Sequence, residues 1–192
     1  KVVRLKQGDP DRQTAYGGQS LTYDANGNLT GDGTHTFHWN ARNQLVEIKQ
    51  GAITVASFGY DVLGRRFTKT EGSTTVEYLH DGLDPVQETR GAAVEPILTG
   101  LGIDERYARG SGTNRRYFLT DGLGSTRLLT DTNGAIANRY EYDPYGGTTQ
   151  TNPSVQNGYR YTGWEQDANG LYYYRARYYH PGLGRFISRD PI

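Results

Sequence analysis

One short unit recurs along this chain and limits what it can fold into: a hydrophobic or aromatic residue, Asp or Asn, two variable residues, then Gly or Asn. It reads YDANGN at residues 23–28, WNARNQ at 39–44, YDVLGR at 60–65 and YDPYGG at 142–147. Looser copies without the aromatic pair Asp121 with Gly124, Asp131 with Gly134 and Asp167 with Gly170. The spacing has a chemical cause. Asp at the first position of a type I turn accepts the backbone N–H two residues on, and the residue three further on must often take positive φ, which Gly and Asn do at low cost. The flanking stretches TFHW (36–39), TVEYLH (75–80), RRYFLT (115–120), STRLLT (125–130) and ANRYEY (137–142) are short, rich in β-branched and aromatic residues, and partly alternating. They read as strands. The sequence therefore predicts an all-β fold of repetitive antiparallel hairpins with no helix longer than about two turns. Irregular spacing of the units favours a long sheet that coils gradually over a propeller with fixed blades.

Composition bears on order and on partners. The 192 residues are only 34% hydrophobic, which leans towards disorder, but 12% are aromatic and 16 are tyrosine, whereas disordered chains are poor in aromatics. Formal net charge is zero, so no basic field gathers nucleic acid or an anionic membrane. Cysteine is absent, which removes disulfides and thiolate metal sites. No run approaches the roughly 20 apolar residues of a spanning helix, so no membrane insertion by this segment is expected. Arginine outnumbers lysine 17 to 4, and many arginines adjoin tyrosines: Arg106–Tyr107, Arg116–Tyr117, Arg139–Tyr140, Arg160–Tyr161 and the run YYYRARYY at 172–179. On adjacent strands a guanidinium stacks on a phenol ring while bonding a carboxylate, which builds a wall from amphipathic side chains instead of a purely apolar core. Two readings of these rows stand side by side: cross-strand packing, or a ladder of tyrosines that binds glycan.

Several stretches carry residue types that could do chemistry. DANGN at 24–28 looks like the start of a calcium loop, but Leu29 stands at the glycine position and His35 at the closing Glu position. His35 and His38 lie three apart, a spacing that faces them to opposite sides of a strand. GLGSTR at 122–127 has glycines but no lysine in phosphate-loop position, and Ser125 has no evident His and Asp partners. No self-sufficient active site emerges, so no enzymatic turnover, cofactor or metal is expected.

The chain opens at Lys1, contains no methionine, and closes on Pro191–Ile192 with no terminating structure behind it. It is expected to be a segment of a longer polypeptide. Its terminal hairpins would then expose unpaired edges, covered by other chain or by adjacent copies through edge strands.

The units YDANGNLT, YDVLGRRFTKT and YDPYG resemble the tyrosine-aspartate (YD) repeats of bacterial RHS proteins. LTDGLGSTRLLTDTNGAIANRYEYDPYG (119–146), followed by YTGWEQDANGLYYYRARYYHPGLGRFISRDPI (161–192), resembles the RHS repeat-associated core region. The resemblance divides the chain into YD-repeat hairpins over 1–116 and the core region, truncated at its C-terminal end, over 117–192. It implies a β-strip that coils into part of a large hollow shell, secreted or at the cell surface, which encloses a C-terminal toxin. The remainder of the shell and the toxin cargo are the implied partners. The alternative is an extracellular carbohydrate-binding or adhesive repeat module. In several such proteins an aspartyl-type self-cleavage at the end of the core severs the toxin. Asp190, preceded by Arg189, matches the acidic position of the family's GRF…DP motif and is one implied member of that site; its bland alternative is a turn-forming Asp before Pro. The second aspartate and the scissile bond lie beyond Ile192. His180 stands where the family has Asp in RYYDP, which puts in doubt any role that needs a carboxylate there.

Overall fold

A computed structural model describes residues 3–6, 9–167 and 169–191, with side chains from residue 12 onward. Lys1 and Ile192, on which the expectation of a cut chain rests, lie outside the described residues. The dominant element is a fourteen-stranded antiparallel sheet in which every strand pairs with its neighbours in sequence, from Thr22–Tyr23 at one end to Thr148–Gln150 at the other. It is an unbroken meander. A three-stranded sheet (Val3–Lys6, Asp9–Tyr16, Gln19–Ser20) precedes it, and a four-stranded one (Glu165–Gln166, Tyr172–Tyr174, Arg177–His180, Arg185–Phe186) follows. The only helical pieces among the described residues are two single 3₁₀ turns, Gly112–Asn114 and Tyr161–Gly163.

The recurring unit makes the turns it predicts. In residues 60–65, Asp61 Oδ1 accepts the N–H groups of Leu63 and Arg65, both at 2.9 Å, the Gly64 N–H closes back on the Asp61 carbonyl, and Gly64 sits at φ 82°. Asp121, Asp131 and Asp143 repeat that pattern, and Asn40 makes it with Asn43 at φ 57°. Residues 116 and 117, between which the resemblance divides the chain, fall inside one strand, Arg116–Thr120, so the sheet is continuous there.

Alternation gives the sheet one covered face. In Thr74–Asp81, Val76 and Tyr78 are buried while Glu77 and Leu79 are exposed, the period of two that a half-buried strand requires. Along the covered face the chemistry changes. Phe37, Ile48 and Ala56 form an apolar row across three paired strands, whereas the middle of the sheet presents Arg66, Lys69, Glu88 and Arg109 on the same side. The C-terminal segment folds back over this face. Its Leu171, Tyr178 and Ile187 join Leu21, Leu29, Phe37, Leu45, Ile48, Ala56 and Phe58 in one core, and Leu29 donates its N–H to the Ile187 carbonyl at 2.7 Å.

Candidate functional site

Where the four-stranded sheet meets the middle of the large one, four charges are buried together. Arg66 and Lys69 stand on Arg66–Glu71; Glu165 is in Glu165–Gln166 and Asp167 follows it. Arg66 gives Nη2 to Glu165 at 2.7 Å and Nη1 to Asp167 at 2.8 Å, while Lys69 Nζ reaches Glu165 at 2.7 Å and Asp167 at 3.1 Å. Two cations thus meet two carboxylates, and each carboxylate is shared. Tyr78 donates its hydroxyl to Glu165 at 2.5 Å, and Arg66 lies over the Tyr173 ring with its guanidinium carbon 4.1 Å from the centroid. Burial alone would raise the Glu165 carboxyl; Lys69 and Arg66 overcome that and hold it far below the ordinary glutamate range. Burial likewise pulls Lys69 down, and Glu165 with Asp167 more than restores it, so both partners stay charged. The same burial pushes the Tyr78 phenol well up, keeping it a proton donor.

Two further clusters fasten the same face. Arg109 bonds Glu88 at 3.0 Å and also reaches Glu95, and Arg90 donates to the same Oε2 atoms of both carboxylates. Arg175, in the C-terminal segment, bridges Asp84 at 3.1 Å and Asp104 at 2.8 Å on the large sheet, and Arg106 donates to the Gly163 carbonyl at 2.7 Å while stacking on Tyr159 at 4.1 Å. Guanidinium-over-ring packing therefore occurs on adjacent strands, as for Arg127 over Tyr142 and Arg177 over Phe186, and also between the two sheets, as for Arg66 over Tyr173. Neighbours such as Arg106 and Tyr107 cannot pair, because successive strand residues point to opposite faces. Of the two readings of the Arg and Tyr rows, packing describes these residues, whose charges and rings are engaged by the chain's own C-terminal segment. Fixed, mutually neutralising charges of this kind clamp the two sheets together.

No family model matches the chain. It is 33% identical over 200 residues to the tRNA3(Ser)-specific nuclease WapA of Bacillus spizizenii, with all of this chain set against 9% of that protein. It is 31% identical over 194 residues to toxin subunit YenC1 of Yersinia entomophaga, 91% of this chain against 19% of that one. The crystal structure of TcdB2-TccC3-Cdc42 superposes on 88% of the chain with a TM-score of 0.72 and 29% identity, using 10% of its own chain. This chain belongs to the RHS/YD-repeat proteins. Its strip has the fold of the toxin-complex RHS shell, and it spans between 9% and 19% of the length of these relatives.

Within this RHS segment the motif residues fall in different places. Asp190 is about half exposed, and its carboxylate pairs with Arg177 at 3.0 Å. Arg189 lies across Gly27, where a Cβ would stand 2.8 Å from its Nε. His180, in the position of the family's Asp, accepts the Leu183 N–H on Nδ1 at 3.2 Å. That is the job Asp61 does in its own turn, so the imidazole supplies the acceptor that a carboxylate would. With Nδ1 accepting, the proton of the neutral ring sits on Nε2, 4.0 Å from Asp32. Asp32 also holds His35 at 3.3 Å, so His35 and His180 share one carboxylate, whereas His38 is on the strand Thr36–Trp39. Asp24 spends both carboxylate oxygens on Asn28 within its turn, and Ser125 Oγ accepts the Thr162 N–H at 3.0 Å. The ion cluster had no signal in the sequence beyond the abundance of arginine.

Proposed function

We propose that this chain is a wall section of an RHS shell, and that the shell holds a toxin or other polypeptide cargo, keeping it from stable folding until delivery outside the producing cell. The observation that carries this reading is the meander itself: fourteen sequential strands with both terminal strands unsealed, braced from one face by the chain's own core segment. Such a strip has rigidity without closure, which suits a section of wall whose neighbours are more wall. Trp164 supports the same choice over the glycan reading, because Tyr174 stacks on it at 4.4 Å and Arg175 lies 4.7 Å from its ring centroid, leaving little open ring for a sugar.

The test is protease protection in the parent polypeptide. Cargo inside an intact shell should survive a protease that digests it once the shell is opened by denaturant. Cargo digested at the same rate in both states contradicts enclosure. Self-cleavage involving Asp190 is a separate proposal that rests on the motif alone. Asp190→Asn in the parent should leave it uncleaved with its shell folded, and cleavage at the wild-type rate would assign Asp190 to the turn.

A further inference from the structure

The turns that begin at Asn40, Asp61, Asp121, Asp131 and Asp143 are held by a side-chain oxygen that accepts backbone N–H groups. The turn joining Arg177–His180 to Arg185–Phe186 has an imidazole in that role, His180 Nδ1 taking the Leu183 N–H at 3.2 Å. The two acceptors differ chemically. A carboxylate or amide oxygen accepts throughout the neutral range, whereas an imidazole nitrogen accepts only while the ring is neutral. The proton that charges this ring goes onto Nδ1 and sets a donor against a donor. The Leu183 N–H also reaches the His180 carbonyl at 3.1 Å, so the turn keeps a bond when the ring swings away.

The place the ring would leave is confined. His180 borders a cavity of about 260 Å³ between its own turn, the turn at 32–35 and the segment 169–171, with Phe37 and Leu171 among the walls. Its side chain is only 25% exposed. The turn at 32–35 faces it with Asp32 and His35, the segment 169–171 with the Asn169 amide and Leu171, and Arg185 lies directly opposite it across the hairpin. Asp32 is the one carboxylate among these residues, and it is already engaged. Its Oδ1 accepts the N–H groups of Thr34 and His35, and its Oδ2 holds the His35 ring at 3.3 Å, with His180 Nε2 at 4.0 Å. A proton on His180 therefore adds a cation beside His35 and Arg185 without a carboxylate of its own. Burial holds the His180 ring below the ordinary histidine value of 6.5, against the pull of Asp32. The seated ring is thus favoured neutral: its contribution is present above 6.5 and is lost as pH falls towards the folded value.

We propose that His180 is an acid-sensitive latch: neutral, its ring seats the last hairpin, residues 177–186, against the turn at 32–35; charged, it leaves, and the hairpin loosens from the first strands of the large sheet. The loosening reaches Ile187, which follows the hairpin and accepts the Leu29 N–H at 2.7 Å. Mild acid thereby acts on one end of the fold-back while the cluster of Arg66, Lys69, Glu165 and Asp167 stays charged, because the Glu165 carboxyl is held below 4.5.

Hydrogen exchange of the 192-residue chain, read by mass spectrometry at about pH 7.5 and about pH 5.5 and corrected for intrinsic rate, tests the latch. Protection of residues 181–187 and of Leu29 should fall several-fold at the lower pH, about tenfold at most, the worth of one pH unit below 6.5. His180→Asn places an amide oxygen where Nδ1 stands, as Asn40 does in its own turn, and should keep that protection at both pH values. His80, which burial also holds below 6.5, is the control, and His80→Asn should leave the response unchanged. The chain has four histidines, so the His180 ring can be followed individually by NMR, and it should titrate below 6.5. That midpoint needs no substitution, so it decides the matter even where His180→Asn fails to fold. Equal protection at both pH values in the wild type, an undiminished response in His180→Asn, a response lost in His80→Asn, or a His180 midpoint at or above 6.5 would overturn the latch.

Discussion

Without Arg66, the buried carboxylates Glu165 and Asp167 would share a single cation, Lys69. Breaking one partner out of a buried ion group commonly costs about 3–5 kcal/mol, because the charges left behind stay desolvated. Arg66→Met should therefore lower stability by about that amount in a urea titration, far more than an exposed substitution such as Leu79→Ser. The pH dependence follows from Glu165. Its carboxyl is held below the ordinary value of 4.5, so its contribution is present above that value and is lost as pH falls towards the folded one. Lys69, raised instead, keeps its contribution until pH exceeds the ordinary lysine range. Urea midpoints should fall between pH 5 and pH 3 in the wild type and fall less in Glu165→Gln; equal slopes would exclude Glu165 as the titrating group. None of this was legible in the sequence, since Arg66 and Glu165 are 99 residues apart and nothing local marks either for the other.

Elements were far more legible than clusters, because a turn is specified by four or five adjacent residues. The Asp–x–x–Gly spacing gave the tips at 61–64, 121–124, 131–134 and 143–146 but not the two-residue tips Gly51–Ala52, Gly72–Ser73, Gly82–Leu83 and Gly91–Ala92, while the alternating stretches gave the strands Thr36–Trp39, Thr74–Asp81 and Ile136–Tyr142. Gly64 shows the constraint: at φ 82° an L side chain is strained, so Gly64→Ala should cost about 1 kcal/mol in thermal melts, and Gly64→Asn less. His180 offers a converse test. If its imidazole only supplies the acceptor for Leu183, His180→Asp should melt close to the wild type, while His180→Ala should lose about 1 kcal/mol. An Asp variant as weak as the Ala one would mean that His180 matters through Asp32 instead. What stayed hidden at this scale was the fold-back of the C-terminal sheet. Its strands could be read, but the face they cover depends on contacts that local sequence does not encode.

At the scale of the molecule, a sequential meander has two ends, and here the strands Thr22–Tyr23 and Thr148–Gln150 flank the fourteen-stranded sheet without pairing to each other. An open edge invites another strand, so the isolated chain should self-associate with rising concentration in sedimentation velocity, and a Lys placed at Thr149 on the terminal strand should reduce that association. The all-β, gradually coiling strip was legible because every turn signal agrees with it. The central claim is that these residues form continuous wall in a larger hollow body. An electron cryo-microscopy map of the parent polypeptide tests it most directly. The account predicts that the fourteen-stranded sheet continues at both terminal strands into further strands of the same wall, around an interior holding density without fixed secondary structure. A solid interior, or a sheet whose terminal strands face solvent on a rod or filament, would contradict it.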